Sequence, residues 1–264
     1  MIRHASPVRF DRLAESGRNR PLRVTAETTD GQEHEIFLKA SAGPELGIEA
    51  LANEALAACL AGDLGLPINE PFLVELDQDW IETIPDAGLR QLLQSSASVA
   101  FGSKAAGAQW KLWSASDLVT VDRRPAALAI FAFDAYIEND DRRPNNSNCL
   151  VKGSEFRIID HELAFRIRLK LFPRPEPWRQ GYLERLVGPD GHVFGAKLKG
   201  QDLDFAPLRA AWTDLPDERL AAYLSALPAE WSAATEAMDA ALTHIRAVRD
   251  RIDDCLAELR RALT

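Results

Sequence analysis

Cysteine and methionine are scarce in this 264-residue chain, at three and two residues. Cys59, Cys149 and Cys255 lie far apart in apolar stretches and match no metal-ligand spacing. Reduced core thiols in a reducing compartment are therefore expected. Long apolar runs are also missing. The longest, 126–133, is far too short to cross a bilayer, and the first twelve residues contain no apolar core of a secretory signal. Positive charge is in deficit, with 31 Lys and Arg against 40 Asp and Glu for a formal net charge of -9. A balance of that sign argues against a general nucleic-acid binder, although local basic patches remain open. No internal repeat and no low-complexity tract is present. These absences leave a soluble cytoplasmic protein as the expectation, with no membrane contact and no direct nucleic-acid binding.

What is present suits a folded domain: 46% hydrophobic and 27% charged residues can bury a large core, as one bilobed domain or two small ones. Residues 1–20 read as basic and polar. Leu22 to Thr29 and Glu33 to Ala40 read as strands joined by the hairpin turn Asp30-Gly31. Two-residue alternation puts Lys39, at the end of the second strand, on the face of Phe37 and opposite Ile36 and Leu38. A helix from Gly47 to Gly62 carries Glu54, and Leu64 to Pro67 stops it. Phe72 to Leu76 reads as a third strand, 77–96 as an acidic then polar insertion, and Val99 to Lys104 as a strand breaking at Gly102. Pro125 opens an apolar helix to about Tyr136. An irregular segment follows Phe165 to about Gly200, and the remainder is helical. In the last helix Met238, Leu242, Ile245, Val248, Ile252, Cys255, Leu259 and Leu263 recur at three- and four-residue steps. Such a stripe predicts core packing, or else a face that docks a regulator.

Residues 137–165 organise the rest. Asn146 and Asp160 each lie seven residues from Gly153, in the turn Lys152-Gly153-Ser154-Glu155. If the flanking apolar residues pair antiparallel, the open end of that hairpin brings Asn146 and Asp160 side by side. A neutral and an anionic oxygen ligand together suit a hard cation such as Mg2+. Asp141 precedes Asn146 by five residues, the D-x-x-x-x-N spacing of phosphoryl transfer, with a base or orienting carboxylate followed by a metal ligand. Upstream, a strand lysine (Lys39) and a helix carboxylate fifteen residues later (Glu54) match the pair that reaches and orients nucleotide phosphates. His161 reads as a loop anchor, and Trp178 and Trp212 as helix packing.

In this order the residues resemble the HipA-like kinases, bacterial relatives of the protein-kinase and phosphoinositide-kinase folds. The matching motifs are Asn139-x-Asp141-Arg142-Arg143-x-x-Asn146 with Ser147-Asn148, and Ile159-Asp160-His161-Glu162-Leu163-Ala164-Phe165. Asn53-Glu54 followed by Gly65-Leu66-Pro67, and Ile36-Phe37-Leu38-Lys39, complete the set, which spans about residues 10–200. The resemblance implies that Asp141 sits near the substrate hydroxyl, Asn146 and Asp160 bind magnesium, Lys39 contacts phosphates, and Glu54 pairs with Lys39. It further implies a nucleotide-covering loop at Ser16, Gly17 and Arg18, with Ser16 a candidate for self-phosphorylation. An adenine-contacting hinge would fall at Val99 to Ser103, including Ala100, Phe101 and Gly102. Three departures stand out: Arg143 replaces a frequent His, Asp160-His161-Glu162 replaces Asp-Phe-Gly, and no G-x-G-x-x-G is present. The chain is shorter than full-length HipA toxins, so a compact stand-alone form is expected.

The fold expected is α+β and two-lobed, protein-kinase-like: a small mixed lobe with antiparallel strands over 1–102 and a mostly helical lobe over 103–264. The expected function is ATP- and Mg2+-dependent transfer of the γ-phosphate to a hydroxyl, with Ser or Thr of a protein as the leading acceptor. A small-molecule phosphotransferase of the same fold is the first alternative. The second is a catalytically weak, nucleotide-sensing module whose final helix docks a regulator.

Overall fold

Asp30-Gly31 lies in the turn of the hairpin that starts the sheet. In the computed structural model, which describes residues 2–14, 21–165 and 175–264, strands β2 (Leu22–Thr28) and β3 (Glu33–Lys39) pair antiparallel with Leu22 opposite Leu38. Gly31 supplies the turn's positive φ of 77°, which a side chain would strain. Val24, Ala26, Ile36 and Leu38 all point to one buried face, as alternation demands.

Most of the basic, polar opening segment is a strand, β1 (Arg3–Leu13), which its composition did not announce. It pairs antiparallel with β2, with register shifts at Pro7/Arg9 and Phe10/Arg12, and parallel with β4 (Pro71–Glu75). Strand β5 (Val99–Lys104) lies between β3 and β4, and the order β1-β2-β3-β5-β4 closes into a barrel. Phe72, Val74 and Ala100 complete the apolar filling inside it. Closure hides the edges that an open sheet would expose.

Gly102 does not break β5. A Cβ there would stand 2.9 Å from Val74 Cγ2, 3.0 Å from Ile36 Cδ1 and 3.2 Å from Phe72 Cβ. The glycine is what the crowded barrel interior needs. The insertion at 77–96 folds into two short helices, α2 (Gln78–Glu82) and α3 (Ala87–Gln94). Asp77 and Asp86 cap them by accepting from the Asp79 and Leu89 N–H groups.

Helix α1 (Ile48–Asp63) packs on the outer face of the barrel through Leu51, Ala52 and Ala55, in one apolar cluster with Leu73, Val99 and Phe101. It ends where Leu64 to Pro67 predicted. Gly65 (φ 70°) donates to the Gly62 carbonyl and Leu66 to the Ala61 carbonyl, the paired bonds of a Schellman cap. The same cluster continues without interruption into the helical half of the chain, and the boundary expected at 102–103 falls inside β5.

After the two-residue β6 (Lys111–Leu112), Pro125 begins α4 (Arg124–Tyr136) as expected. Strands β7 (Cys149–Lys152) and β8 (Glu155–Ile158) form the second hairpin, with Cys149 opposite Ile158 and Gly153 at φ 57° in its turn. Beyond residue 175 come α5 (Gly195–Leu198), α6 (Ala206–Thr213), α7 (Asp217–Ser225), α8 (Thr235–Asp250) and α9 (Ile252–Leu263). The last helix is therefore two, broken at Arg251. Every residue of the apolar stripe from Met238 to Leu263 is buried, which makes that stripe core. Trp212 is fully buried edge-on to Tyr136 (ring centroids 5.6 Å apart), and Trp178 lies under the Arg251 guanidinium. All three cysteines are free, with Cys149 and Cys255 buried. Among the described residues, no helix is long and apolar enough to cross a membrane.

Gly102→Ala should destabilise the protein by about 1–3 kcal/mol through overpacking. Denaturant unfolding reads this directly, and an unchanged midpoint would refute the close approach inside the barrel.

Candidate active site

Lys39 is on the outer face of β3, where its stem emerges beside α1. Its Nζ donates to Glu54 Oε1 at 2.5 Å, to Asp160 Oδ1 at 2.6 Å and to Glu162 Oε2 at 3.0 Å. An ammonium has three hydrogens, and these contacts use all of them. Burial would depress the Lys39 pKa, but Glu54, Asp160 and Glu162 raise it well above the usual lysine value. Burial alone would likewise raise the Glu54 carboxyl, yet the Lys39 charge and the His161 contact hold it below the usual range. The strand lysine and the helix carboxylate thus form the ion pair expected of them. Glu54, Asp160 and Glu162 offer oxygens within 4.8 Å of one another, and the cation they share is the Lys39 ammonium.

The segment around Asp160 is stitched to α1. Glu54 Oε2 accepts the His161 backbone N–H at 3.0 Å, and Asn53 Nδ2 donates to the Glu162 carbonyl at 3.0 Å. Asp160 itself takes a left-handed conformation (φ 63°), tolerable for aspartate and rare for most side chains. Glu138, Asn148 and Phe165 share that region, so all four positive-φ non-glycine residues among those described fall within 137–165. Strain of this kind persists only where the surroundings over-determine it, and it concentrates at functional sites. The Phe165 N–H donates to the Ile137 carbonyl at 2.8 Å, closing the stretch end to end.

Asp141 sits on the loop after α4. Its Oδ2 accepts from Asn146 Nδ2 at 2.8 Å and from Asn148 Nδ2 at 3.2 Å. Burial, and next the charge of Asp160, raise the Asp141 pKa above the ordinary aspartate value, while the Asn148 hydrogen bond opposes this. The Ile159 N–H donates to the Asn148 carbonyl at 3.0 Å, the hairpin-end contact that brings the Asn146 loop to Asp160. Asn146 spends its amide N–H on Asp141, leaving its amide oxygen for a cation, and Asp160 Oδ2 is not among the atoms on Lys39. An amide oxygen and a carboxylate oxygen are hard ligands of the kind magnesium takes, so the residues present fit the ion.

Arg142 is a functional residue that sequence reasoning passed over as part of a motif. Its side chain is 0% exposed, and its Nε donates to Asp134 Oδ2 at 2.6 Å on α4. Its Nη1 donates to the carbonyls of Asn148 and Ile159, and its Nη2 meets His161 Nε2 at 2.9 Å. One guanidinium therefore joins the Asp141 loop, the end of the hairpin and the Asp160 segment. His192 completes the cluster, with Nε2 3.0 Å from Asp134 Oδ2. Burial would raise the Asp134 carboxyl, but Arg142 and then His192 pull it far below the usual range. Burial lowers the His192 pKa, keeping the ring neutral despite Asp134. Asp134 and His192 had no sequence signal beyond an acid inside an apolar helix and a lone histidine in an irregular segment. His161 is the loop anchor expected of it.

The residues of the expected hinge, Val99 to Ser103, all lie on β5. The side chain of Ala100 and the Cα face of Gly102 point into the barrel interior; from Phe101 to Ser103, β5 is paired with both β3 and β4, whereas Val99 and Ala100 pair with β4 alone. Phe101, the register partner of Lys39, shares its face but is buried against α1 and helical residues. Ser16, Gly17 and Arg18 lie outside the described residues, as does the basic segment 166–170.

Asp134→Asn would leave the Arg142 guanidinium buried without its counter-charge and should cost about 3–5 kcal/mol in urea unfolding. The folded pKa of Asp134 is depressed, so its stabilisation is complete above about pH 4, the unfolded value, and is lost as pH falls toward the folded one. The acid-side loss of stability should accordingly be smaller in the Asn variant than in the wild type.

The HipA-like kinase family matches residues 12–173, well over half of the chain. Among solved structures the chain is similar to a Helicobacter pylori proinflammatory kinase, CtkA, at 12% identity and a TM-score of 0.48, over 90% of this chain and 93% of that one. No curated protein matches it. Lys39, Glu54, Asp141, Asn146 and Asp160 all fall inside the matched span, and the chain belongs to the HipA-like kinase family.

Proposed function

We propose that this kinase transfers the γ-phosphate of ATP, with magnesium, to the hydroxyl of a serine or threonine in a protein. The observation that carries the reading is the convergence of Lys39, Glu54, Asp160 and Asp141. The first three are joined by ion pairs, and the charge of Asp160, after burial, helps to raise the pKa of Asp141. Lys39 holds the nucleotide phosphates and Glu54 holds Lys39. Asn146 and Asp160 are the residues that would bind magnesium, which neutralises phosphate charge when present. Asp141 accepts the proton of the acceptor hydroxyl as its oxygen bonds to the γ-phosphorus and the bond to the leaving ADP oxygen breaks. Two amides on Oδ2 orient the carboxylate and leave Oδ1 for the acceptor. The raised pKa makes Asp141 a stronger base than an ordinary aspartate.

A protein acceptor is supported by the shape of the loop. Arg143, Asn145 and Asn146 are exposed and Asp141 is half-buried, so a hydroxyl carried on a macromolecular surface can reach it.

Asp141→Asn should lower phosphate transfer from labelled ATP by about a hundredfold or more. Retention of wild-type transfer would remove Asp141 from the mechanism. Because the carboxylate must be ionised to accept a proton and its pKa lies above the ordinary value, activity should rise with pH along an acid limb displaced upward from the usual aspartate range. A pH profile of kcat/KM flat down to about pH 4 would contradict that assignment.

A further inference from the structure

The open side of the Asp141 loop carries charge of one sign. Across 138–148, Glu138 and Arg142 are buried, Asp140 and Asp141 are half-buried, and the one exposed charged side chain is Arg143. That cation stands two residues past Asp141 in a chain whose formal net charge is -9. Its backbone is firmly held. Arg143 and Asn146 exchange N–H to carbonyl bonds of 3.0 Å in both directions, an antiparallel bridge that closes a two-residue turn. The Arg143 Nε donates to the Asp140 carbonyl at 2.7 Å, and its Nη atoms have no partner among the described residues. Burial has the largest effect on the Asp141 carboxyl, but the Arg143 charge acts against it, which places the guanidinium near that carboxylate. A second guanidinium lies alongside. Arg185 Nη1 meets Asp140 Oδ1 at 2.5 Å, remains 34% exposed, and lies over the Tyr182 ring, 5.5 Å from its centroid. Asp140 thus holds two arginines, one through its carbonyl and one through its carboxylate. None of the bonds made by Lys39 involves either, so the pair flanks the acceptor carboxylate rather than the lysine. The open Nη edge of an arginine offers parallel donors matched to a carboxylate or a phosphate.

We propose that Arg143, with Arg185 beside it, selects an acceptor serine or threonine that has a carboxylate or phosphate side chain on a neighbouring residue. Arg143 is thus a specificity-determining residue: it pairs with the flanking anion and takes no part in the bonds made and broken at the γ-phosphorus. This inference rests on Asp141 receiving the acceptor hydroxyl of the proposed protein kinase.

The test is transfer from γ-labelled ATP with magnesium, by the full chain, to serine peptides of otherwise random sequence. The residues beside the acceptor are fixed as Asp, phosphoserine, Asn or Lys. Wild-type kcat/KM for the Asp or phosphoserine peptides should exceed that for the Asn peptides by about threefold to fivefold, the scale of an exposed ion pair. The excess should shrink as salt rises. The Asp and phosphoserine arms distinguish a carboxylate from a phosphate as the preferred anion. Arg143→Lys, which keeps the charge, should preserve the order, and Arg143→Glu should reverse it in favour of the Lys peptides. A folding defect would not create a new preference. Equal use of acidic and Asn peptides by the wild type, or a uniform loss on every peptide in Arg143→Glu, overturns the proposal while leaving the kinase reading intact. Transfer to none of the peptides overturns both the proposal and the protein acceptor.

Discussion

The guanidinium of Arg142 is the contact on which the site depends. It is buried without solvent, and a cation in that position is tolerable only because Asp134 neutralises it and backbone carbonyls and an imidazole absorb the remaining N–H groups. Each acceptor belongs to a different piece of the site: the end of α4, the loop after Asp141, the close of the second hairpin, and the segment following Asp160. Arginine suits this place because its planar fork reaches several acceptors at fixed angles, which a lysine cannot do. Removing one partner would strand a charge, which makes the cluster cooperative and the relative placement of Asp141 and Asp160 stiff.

A second cluster, around Lys39, is connected to the first through His161. The His161 backbone N–H is held by Glu54, and its ring meets Arg142. The helix carboxylate therefore organises the lysine and the Asp160 segment together. Helix α1 is anchored on its far side as well. Asp63, its last residue, accepts from the Arg219 guanidinium at 2.5 and 2.8 Å and from the Tyr223 hydroxyl on α7. The Trp231 indole donates to the Val99 carbonyl at 2.9 Å, tying the C-terminal half to β5. The helix bearing Glu54 is thereby held at its middle and at its C-terminal end, with its apolar face in the large core.

Much of this was legible from local pattern. The two hairpin turns each carry a glycine where φ is positive, and alternation on β3 separated Lys39 from Ile36 and Leu38. The equal spacing of Asn146 and Asp160 about Gly153 predicted that their segments meet at the open end of the hairpin, where the Ile159 N–H bonds the Asn148 carbonyl, because an antiparallel pair returns the chain at equal distances from its turn. Strand β1 escaped because barrel closure buries residues of modest hydrophobicity such as Ala5, and its outward face is basic. Gly102 was misread for a related reason: glycine breaks an isolated strand, but here the neighbouring Val74 and Ile36 fill the space its side chain would need.

By itself, the sequence determined the order and type of most elements and the identity of the chemical groups, because turns, caps and periodicity act over a few residues. The family resemblance also named Glu54 as the partner of Lys39. Tertiary structure alone decided that Asp134, Arg142 and His192 form one buried charge cluster. Burial and the pairing of groups up to 58 residues apart set those energies, and neither is encoded in local spacing. It likewise decided that Glu162 joins Lys39 across 123 residues, and that the apolar stripe of the final helices faces inward. Long-range electrostatics and packing depend on which surfaces meet, and only the folded chain specifies that.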